Sequence, residues 1–138
     1  MSVSTAALTT PYAPPRPTSL RRLTVGAGLA AAAAVTAVAA AVRAAGVPFS
    51  AGGPIPLAAF AQMTFLGALV GGVTAAVLSR RSAAPRRRFL QVTGVLLALS
   101  CVPSVALPPD VATKASLVVL HLVAAAMTVP VLARRLDA

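Results

Sequence analysis

Four apolar runs constrain this chain more than any other feature. They cover about residues 23–45, 57–79, 89–107 and 111–133. A membrane-spanning helix needs roughly 20 apolar residues to cross a hydrocarbon core about 30 Å thick. Charged residues make up only 10% of the 138-residue chain, whereas soluble proteins average about 25%. The sequence therefore predicts an all-α integral membrane protein, a four-transmembrane-helix bundle with up-down topology.

The segments that flank these runs contain turn-forming or helix-breaking residues. Residues 1–22 include four prolines, which oppose both helix and sheet, so we expect a disordered cytoplasmic tail. The membrane domain then covers residues 23–136. Within it, residues 46–56 (GVPFSAGGPIP) form a loop by their Gly and Pro content, and Pro108-Pro109-Asp110 forms the last turn.

The distribution of arginine predicts the orientation of the helices. The tail, the middle loop and the C-terminus carry three, five and two arginines, whereas Arg43 and Lys114 lie at the margins of the other two loops. Basic loops stay in the cytoplasm, so both termini are predicted to be cytoplasmic in a bacterial inner membrane. The alternative is cleavage of the first run as a signal peptide, which its length opposes.

Charge and cysteine content exclude several classes of protein. The net charge is +10, but the arginines form short clusters without interleaved aromatic residues, which opposes nucleic-acid binding. We expect them to attract anionic headgroups at the cytoplasmic face. The single cysteine, Cys101, excludes an intramolecular disulfide and a Cys-x-x-Cys redox pair.

Gly67 and Gly71 form a Gly-x-x-x-Gly pair in the second run. Ala59, Ala75 and Ser79 continue the small residues at four-residue spacing. Small residues allow two helix backbones to approach closely in lipid. We therefore expect Gly67 and Gly71 to serve helix packing, either against the first or third helix or between two copies of the chain.

His121 is the only histidine and lies near the middle of the fourth run. Lys114 and Thr128 lie seven residues to either side, and Asp110 precedes Lys114 by one turn, so all four share one helical stripe. An ionisable group at this depth is costly and is a functional candidate by default. We expect His121 to hydrogen-bond a neighbouring helix, and the alternative is a proton relay or ligand site along this polar stripe.

Arg43 and Asp110 are predicted to meet at the outer face of the membrane. Arg43 lies near the end of the first run, and Asp110 begins the fourth. We expect an ion pair worth about 1 kcal/mol at a wet interface, the alternative being two solvated charges without a fixed partner. Asp110 also suits the N-cap of the fourth helix.

The second half of the chain resembles a known group of proteins. RRRFLQVTGVLLALSCVPSVALPP is followed by LVVLHLVAAAMTVPVLARRL, that is, an arginine-rich loop, a helix that ends in Pro-Pro, and a helix with a central His before a late Pro. This order resembles an uncharacterised actinobacterial family of small four-helix integral membrane proteins. The resemblance implies no activity and directs attention to His121 and Pro130.

Function is not specified by any catalytic pattern in the sequence. No acid–base pair, metal cluster or nucleophile with a base is recognisable, so neither an enzyme nor a cofactor is predicted. The leading interpretation is a non-enzymatic membrane protein that acts by helix packing, self-association as a homo-oligomer, or a membrane-protein partner. The alternative is a small transporter or ligand-binding bundle that uses the polar stripe around His121.

Overall fold

Four long helices make up most of the chain. The computed structural model describes residues 19–136, and within them all four helices are long and apolar enough to cross a membrane. This confirms the predicted all-α chain with four candidate spans. The expected disorder of residues 1–18 lies outside the described part. The helices are α1 (Leu20–Ala44), α2 (Leu57–Arg81), α3 (Pro85–Ala106) and α4 (Val111–Ala133), and a 3-10 turn (Arg134–Leu136) follows α4.

Two helices begin earlier than the apolar runs indicate. The Ser19 hydroxyl accepts a hydrogen bond from the Arg22 amide at 3.4 Å and caps α1, so residues 20–22, assigned to the tail from sequence, are helical. Pro85 begins α3 at the first helical position, where its missing N–H costs nothing. Hydropathy detects only the apolar part of a helix, whereas arginine is a good helix former and extends the helix beyond that part.

Helices α1 and α2 pack through small residues. A Cβ atom added to Gly28 of α1 would lie 3.0 Å from the Ala68 Cβ of α2, and one added to Gly72 of α2 would lie 2.3 Å from the Thr24 Cγ2 of α1. Both distances are shorter than the usual separation of about 3.5–4.0 Å between carbon atoms in contact. The two backbones therefore approach as closely as glycine allows.

Two clusters of buried side chains connect the ends of the helices. The first, called the arginine-end cluster, joins the beginnings of α1 and α3 to the ends of α2 and α4. It consists of Ala75, Phe89, Leu132, Ala133 and Leu136, with Leu20, Leu78 and Val129 packed against them. The second, called the loop-end cluster, consists of Val35, Ala39, Phe49, Phe60 and Leu120. It joins the second half of α1 to the beginning of α2 and the first half of α4.

Candidate functional site

The loop between α1 and α2 is folded against the end of α1. Gly46 has a φ of +96° and its amide donates to the Arg43 carbonyl at 2.9 Å, which ends the helix. Ser50 and Pro54 form an antiparallel bridge. The Ile55 amide donates to the Phe49 carbonyl at 2.9 Å. These bonds give the loop a defined hairpin-like shape.

Phe49 anchors this loop in the loop-end cluster. Its side chain is fully buried, and its ring meets Phe60 edge to face with centroids 5.1 Å apart. The φ of Phe49 is +34°, which is unfavourable for a bulky side chain. Burial of the ring therefore holds the backbone in a strained conformation of the kind that persists only where the surroundings fix it.

Arg43 joins α1 to this loop. Its Nη2 atom donates a hydrogen bond to the Ile55 carbonyl, and its Cζ atom lies 6.0 Å from the centroid of the Phe49 ring. The half-buried guanidinium borders an open concavity of about 450 Å³, here called the loop pocket. The loop pocket is lined by Arg43, Gly46, Val47, Pro48, Pro54, Ile55 and Pro56.

Asp110 caps α4. Its Oδ1 atom accepts a hydrogen bond from the Thr113 amide at 2.6 Å, which confirms the predicted N-cap. This bond lowers the pKa of the Asp110 carboxyl below its usual value. The second carboxylate oxygen and the Thr113 hydroxyl are buried without a hydrogen-bond partner.

The expected ion pair between Arg43 and Asp110 is not among the contacts that the structure records in residues 19–136. The carboxylate turns back to its own helix, where it satisfies a first-turn amide. The guanidinium turns to the loop and satisfies a carbonyl that the turn leaves without a helical partner. The Asp110 carboxylate therefore binds an amide of its own helix, and the Arg43 guanidinium binds a carbonyl of the adjoining loop.

Two side chains of the predicted polar stripe, His121 and Thr128, bond within α4. Nδ1 of His121 lies 2.8 Å from the Leu117 carbonyl, and the Thr128 hydroxyl donates to the Ala124 carbonyl at 2.8 Å. The bond expected from His121 to a neighbouring helix is thus replaced by one to its own backbone. Because a carbonyl only accepts, Nδ1 is the donor in this hydrogen bond.

The stripe does not gather the ligands that a metal ion would need. Among residues 19–136, no three His, Cys, Asp or Glu side chains lie close enough to hold a metal ion. His121 and Thr128 are separated by about 10 Å along the helix axis, too far for a direct hydrogen bond. Lys114 and Asp110, one turn apart at the beginning of α4, are both half-buried.

Gly67 and Gly71 have different surroundings. A Cβ atom added to Gly71 would lie 3.4 Å from Cδ1 of Leu132 in α4, whereas one added to Gly67 would meet no atom within 4 Å. Gly71 thus contacts α4 rather than the first or third helix that the sequence predicted, and Gly67 lies on an open surface. That surface, here called the outward α2 face, consists of Met63, Leu66, Gly67, Val70, Val73 and Val77.

Sequence reasoning missed the residues of the closest helix contact. Thr24 and Gly28 of α1 meet Gly72 and Ala68 of α2, and each pair has the four-residue spacing of small residues that marks helix contacts in membranes. The signal was therefore present. It was hidden because α1 is so rich in alanine that many registers satisfy the same pattern.

These features define a multi-pass membrane protein with four candidate spanning helices. Residues 15–138 match a family of unknown function, DUF6069, and the chain belongs to this family. Membership of a family of unknown function is what the resemblance implied, and the match itself names no source organism. No curated protein and no solved structure matches the chain.

Proposed function

We propose that this chain is a non-enzymatic protein of the cytoplasmic membrane that acts by self-association through the outward α2 face. The four helices form an up-down bundle with both termini in the cytoplasm. This proposal combines the orientation of the arginine clusters with an apolar, exposed face of α2 on which Gly67 is open. It assigns the protein an assembly function rather than a chemical one.

The arginine-end cluster supports the proposed topology and orientation. Phe89 at the beginning of α3 packs in it with Leu132 near the end of α4, and arginines adjoin both positions. Helix ends that share one apolar cluster lie at one end of the bundle. Basic residues favour the cytoplasmic side, and each attracts anionic headgroups by about 1 kcal/mol close to the surface.

The open position of Gly67 is the observation that carries the proposed self-association. The large side chains Leu66 and Val70 beside it are exposed, and no atom lies where a Gly67 side chain would be. In lipid, helices associate through close backbone packing rather than through a hydrophobic drive. A second copy of α2 can approach closest at Gly67, because this position carries no side chain.

Replacement of Gly67 by leucine tests this proposal. Gly94 of α3 provides the matched control, since it too lies in a helix with no atom within 4 Å of an added Cβ. We expect cross-linking in liposomes to trap dimers of the wild type and of Gly94→Leu, and at least about fivefold less dimer for Gly67→Leu, which corresponds to a loss of about 1 kcal/mol. Equal dimer yields for all three proteins, or monomers alone, would contradict the proposal.

The alternative function is proton or ligand transport along the α4 stripe. The observation in its favour is that the ionisable side chain of His121 lies in the middle of a candidate spanning helix. The internal bonds of the His121 Nδ1 atom and the Thr128 hydroxyl favour the assembly function instead, because both donors are already used within α4. Proton flux into liposomes that is abolished by His121→Ala and also by His121→Gln would establish the alternative; dimers with unchanged flux would exclude it.

A further inference from the structure

We infer that the loop pocket binds one phosphate-bearing anion, whose phosphate oxygens contact Arg43 and whose apolar part lies against the prolines of the loop. The shared chemistry is a phosphate joined to an apolar body, as in an anionic lipid. This site is separate from the outward α2 face, and it does not depend on self-association.

The charge of Arg43 lacks a carboxylate partner in the described part of the chain. Asp110 is the one acidic residue among residues 19–136, and its carboxylate caps α4. The guanidinium has five N–H donors, and the hydrogen bond recorded for it uses Nη2 alone, with Ile55. A half-buried arginine with donors in reserve is suited to bidentate binding of a phosphate.

The walls of the loop pocket fit a ligand that is not entirely polar. Apart from Arg43, the lining consists of glycine, valine, isoleucine and proline side chains. The concavity of about 450 Å³ lies within the range of roughly 300–1,000 Å³ that is common for small-molecule sites. One fixed cation in an apolar surface selects a ligand with one anionic group and an adjoining apolar region.

The position of Arg43 along α1 places it at the depth of lipid phosphates. Arg22 and Arg43 lie in the first and last turns of α1, about 32 Å apart along the helix axis. This separation matches the thickness of the hydrocarbon core, about 30 Å. When Arg22 lies at one headgroup layer, Arg43 therefore lies at the other.

The strained backbone of Phe49 indicates that the surrounding structure fixes the shape of the loop. Phe49 keeps a φ of +34° while its ring lies below the Arg43 guanidinium. The ring limits the positions that the guanidinium can adopt. The remaining donors of Arg43 are thus presented in a narrow range of orientations, which reduces the entropy lost when an anion binds.

A photoreactive phosphatidylglycerol locates the binding site directly. The full-length protein in liposomes of this lipid and phosphatidylcholine is irradiated, and the adducts are mapped by peptide mass. We expect adducts in residues 46–56 that fall about tenfold in Arg43→Gln, as is typical for loss of a charge-assisted hydrogen bond. Arg21→Gln is the matched control, because Arg21 borders an open concavity of similar volume, about 440 Å³, at the beginning of α1.

A second variant tests the loop pocket independently of Arg43→Gln, whose loop could misfold. Pro48→Phe retains the guanidinium and fills the loop pocket from an exposed position, so it should reduce the same adducts. Excess inorganic phosphate distinguishes the source of the anion: loss of the adducts assigns the site to a free phosphate compound, and their persistence assigns it to lipid. Adducts confined to the arginine-rich helix ends, or loop adducts unchanged in both variants, would overturn the inference.

Discussion

Substitution of Gly72 by alanine tests the closest helix contact in the structure. The added Cβ would lie 2.3 Å from Cγ2, 2.5 Å from Oγ1 and 2.9 Å from Cβ of Thr24. Rotation of the Thr24 side chain can move the first two atoms but not its Cβ, which is fixed by the backbone of α1. The hydroxyl is also bonded to the Leu20 carbonyl at 2.9 Å. The helices must therefore separate locally.

The expected change in the free energy of unfolding follows from two opposing contributions. Carbon atoms in contact lie about 3.5–4.0 Å apart, so α1 and α2 must move by roughly 1 Å at this point. Overpacking of this kind costs about 1–3 kcal/mol, and the shift also loosens the contact of Gly28 with Ala68. Alanine regains up to about 1 kcal/mol through helix propensity. We expect a net loss of about 1–2 kcal/mol in the free energy of unfolding.

The assay is the temperature at which half of the protein stays monodisperse after heating in mild detergent. A loss of this size corresponds to a decrease of roughly 5–10 °C. Gly94→Ala, in open space on α3, should melt at the wild-type temperature or slightly above. Removal of the threonine methyl and hydroxyl in Thr24→Ala/Gly72→Ala should restore part of the loss. A Gly72→Ala protein as stable as Gly94→Ala would refute the proposed helix contact.

Three further substitutions test the loop and the α4 cap. Phe49→Ala should lower the free energy of unfolding by about 3–5 kcal/mol. Phe49→Gly should lower it by no more than that, because glycine adopts the φ of +34° without strain. A glycine variant clearly less stable than the alanine variant in the same melting assay would contradict this. Asp110→Ala should lower the melting temperature at neutral pH, and the difference from wild type should disappear as the pH falls. A carboxyl with a lowered pKa stabilises the fold above its unfolded pKa of about 3.9 and loses this contribution as it protonates. A melting-temperature difference between wild type and Asp110→Ala that grows on acidification would contradict the role of the carboxylate.

Sequence alone was sufficient for the elements of the fold. Apolar length and the Gly and Pro content of the turns predicted four spans, and Asp110 after two prolines predicted the cap of α4. These are local properties, because each depends on a short stretch of chain and on a backbone requirement that tertiary structure does not alter. The early beginnings of α1 and α3 were missed, since hydropathy does not detect the polar first turn of a helix.

Contacts between helices were less accessible from sequence. In a soluble bundle, polar side chains mark the outer face and thereby orient each helix. In a candidate spanning helix the exposed side is also apolar, as Leu99 and Val102 show, so periodicity does not identify the buried side. Gly67 and Gly71 matched a general packing pattern, but the contact with Thr24 depends on Gly72, one position further along.

The loop residues were hidden for a related reason. Phe49 lies in a Gly- and Pro-rich segment that reads as an exposed turn, yet it is among the most buried side chains. A lone aromatic residue between turn-forming residues was the available signal. The partner of Arg43 could not be inferred, because it is the backbone carbonyl of Ile55, and carbonyl orientation depends on the folded loop.

Helix α1 connects the two most specific features of the molecule. Its first half carries Thr24, whose contact with Gly72 fixes the position of α1 along α2, and its last turn carries Arg43. The Ile55 carbonyl lies two residues before α2 begins, so the bond between Arg43 and Ile55 spans the same pair of helices at the opposite end. A helix moves nearly as a rigid rod, since its backbone is fully hydrogen-bonded. The glycine contact near the arginine-rich end and the bond between Arg43 and Ile55 therefore hold α1 against α2 at opposite ends of the two helices.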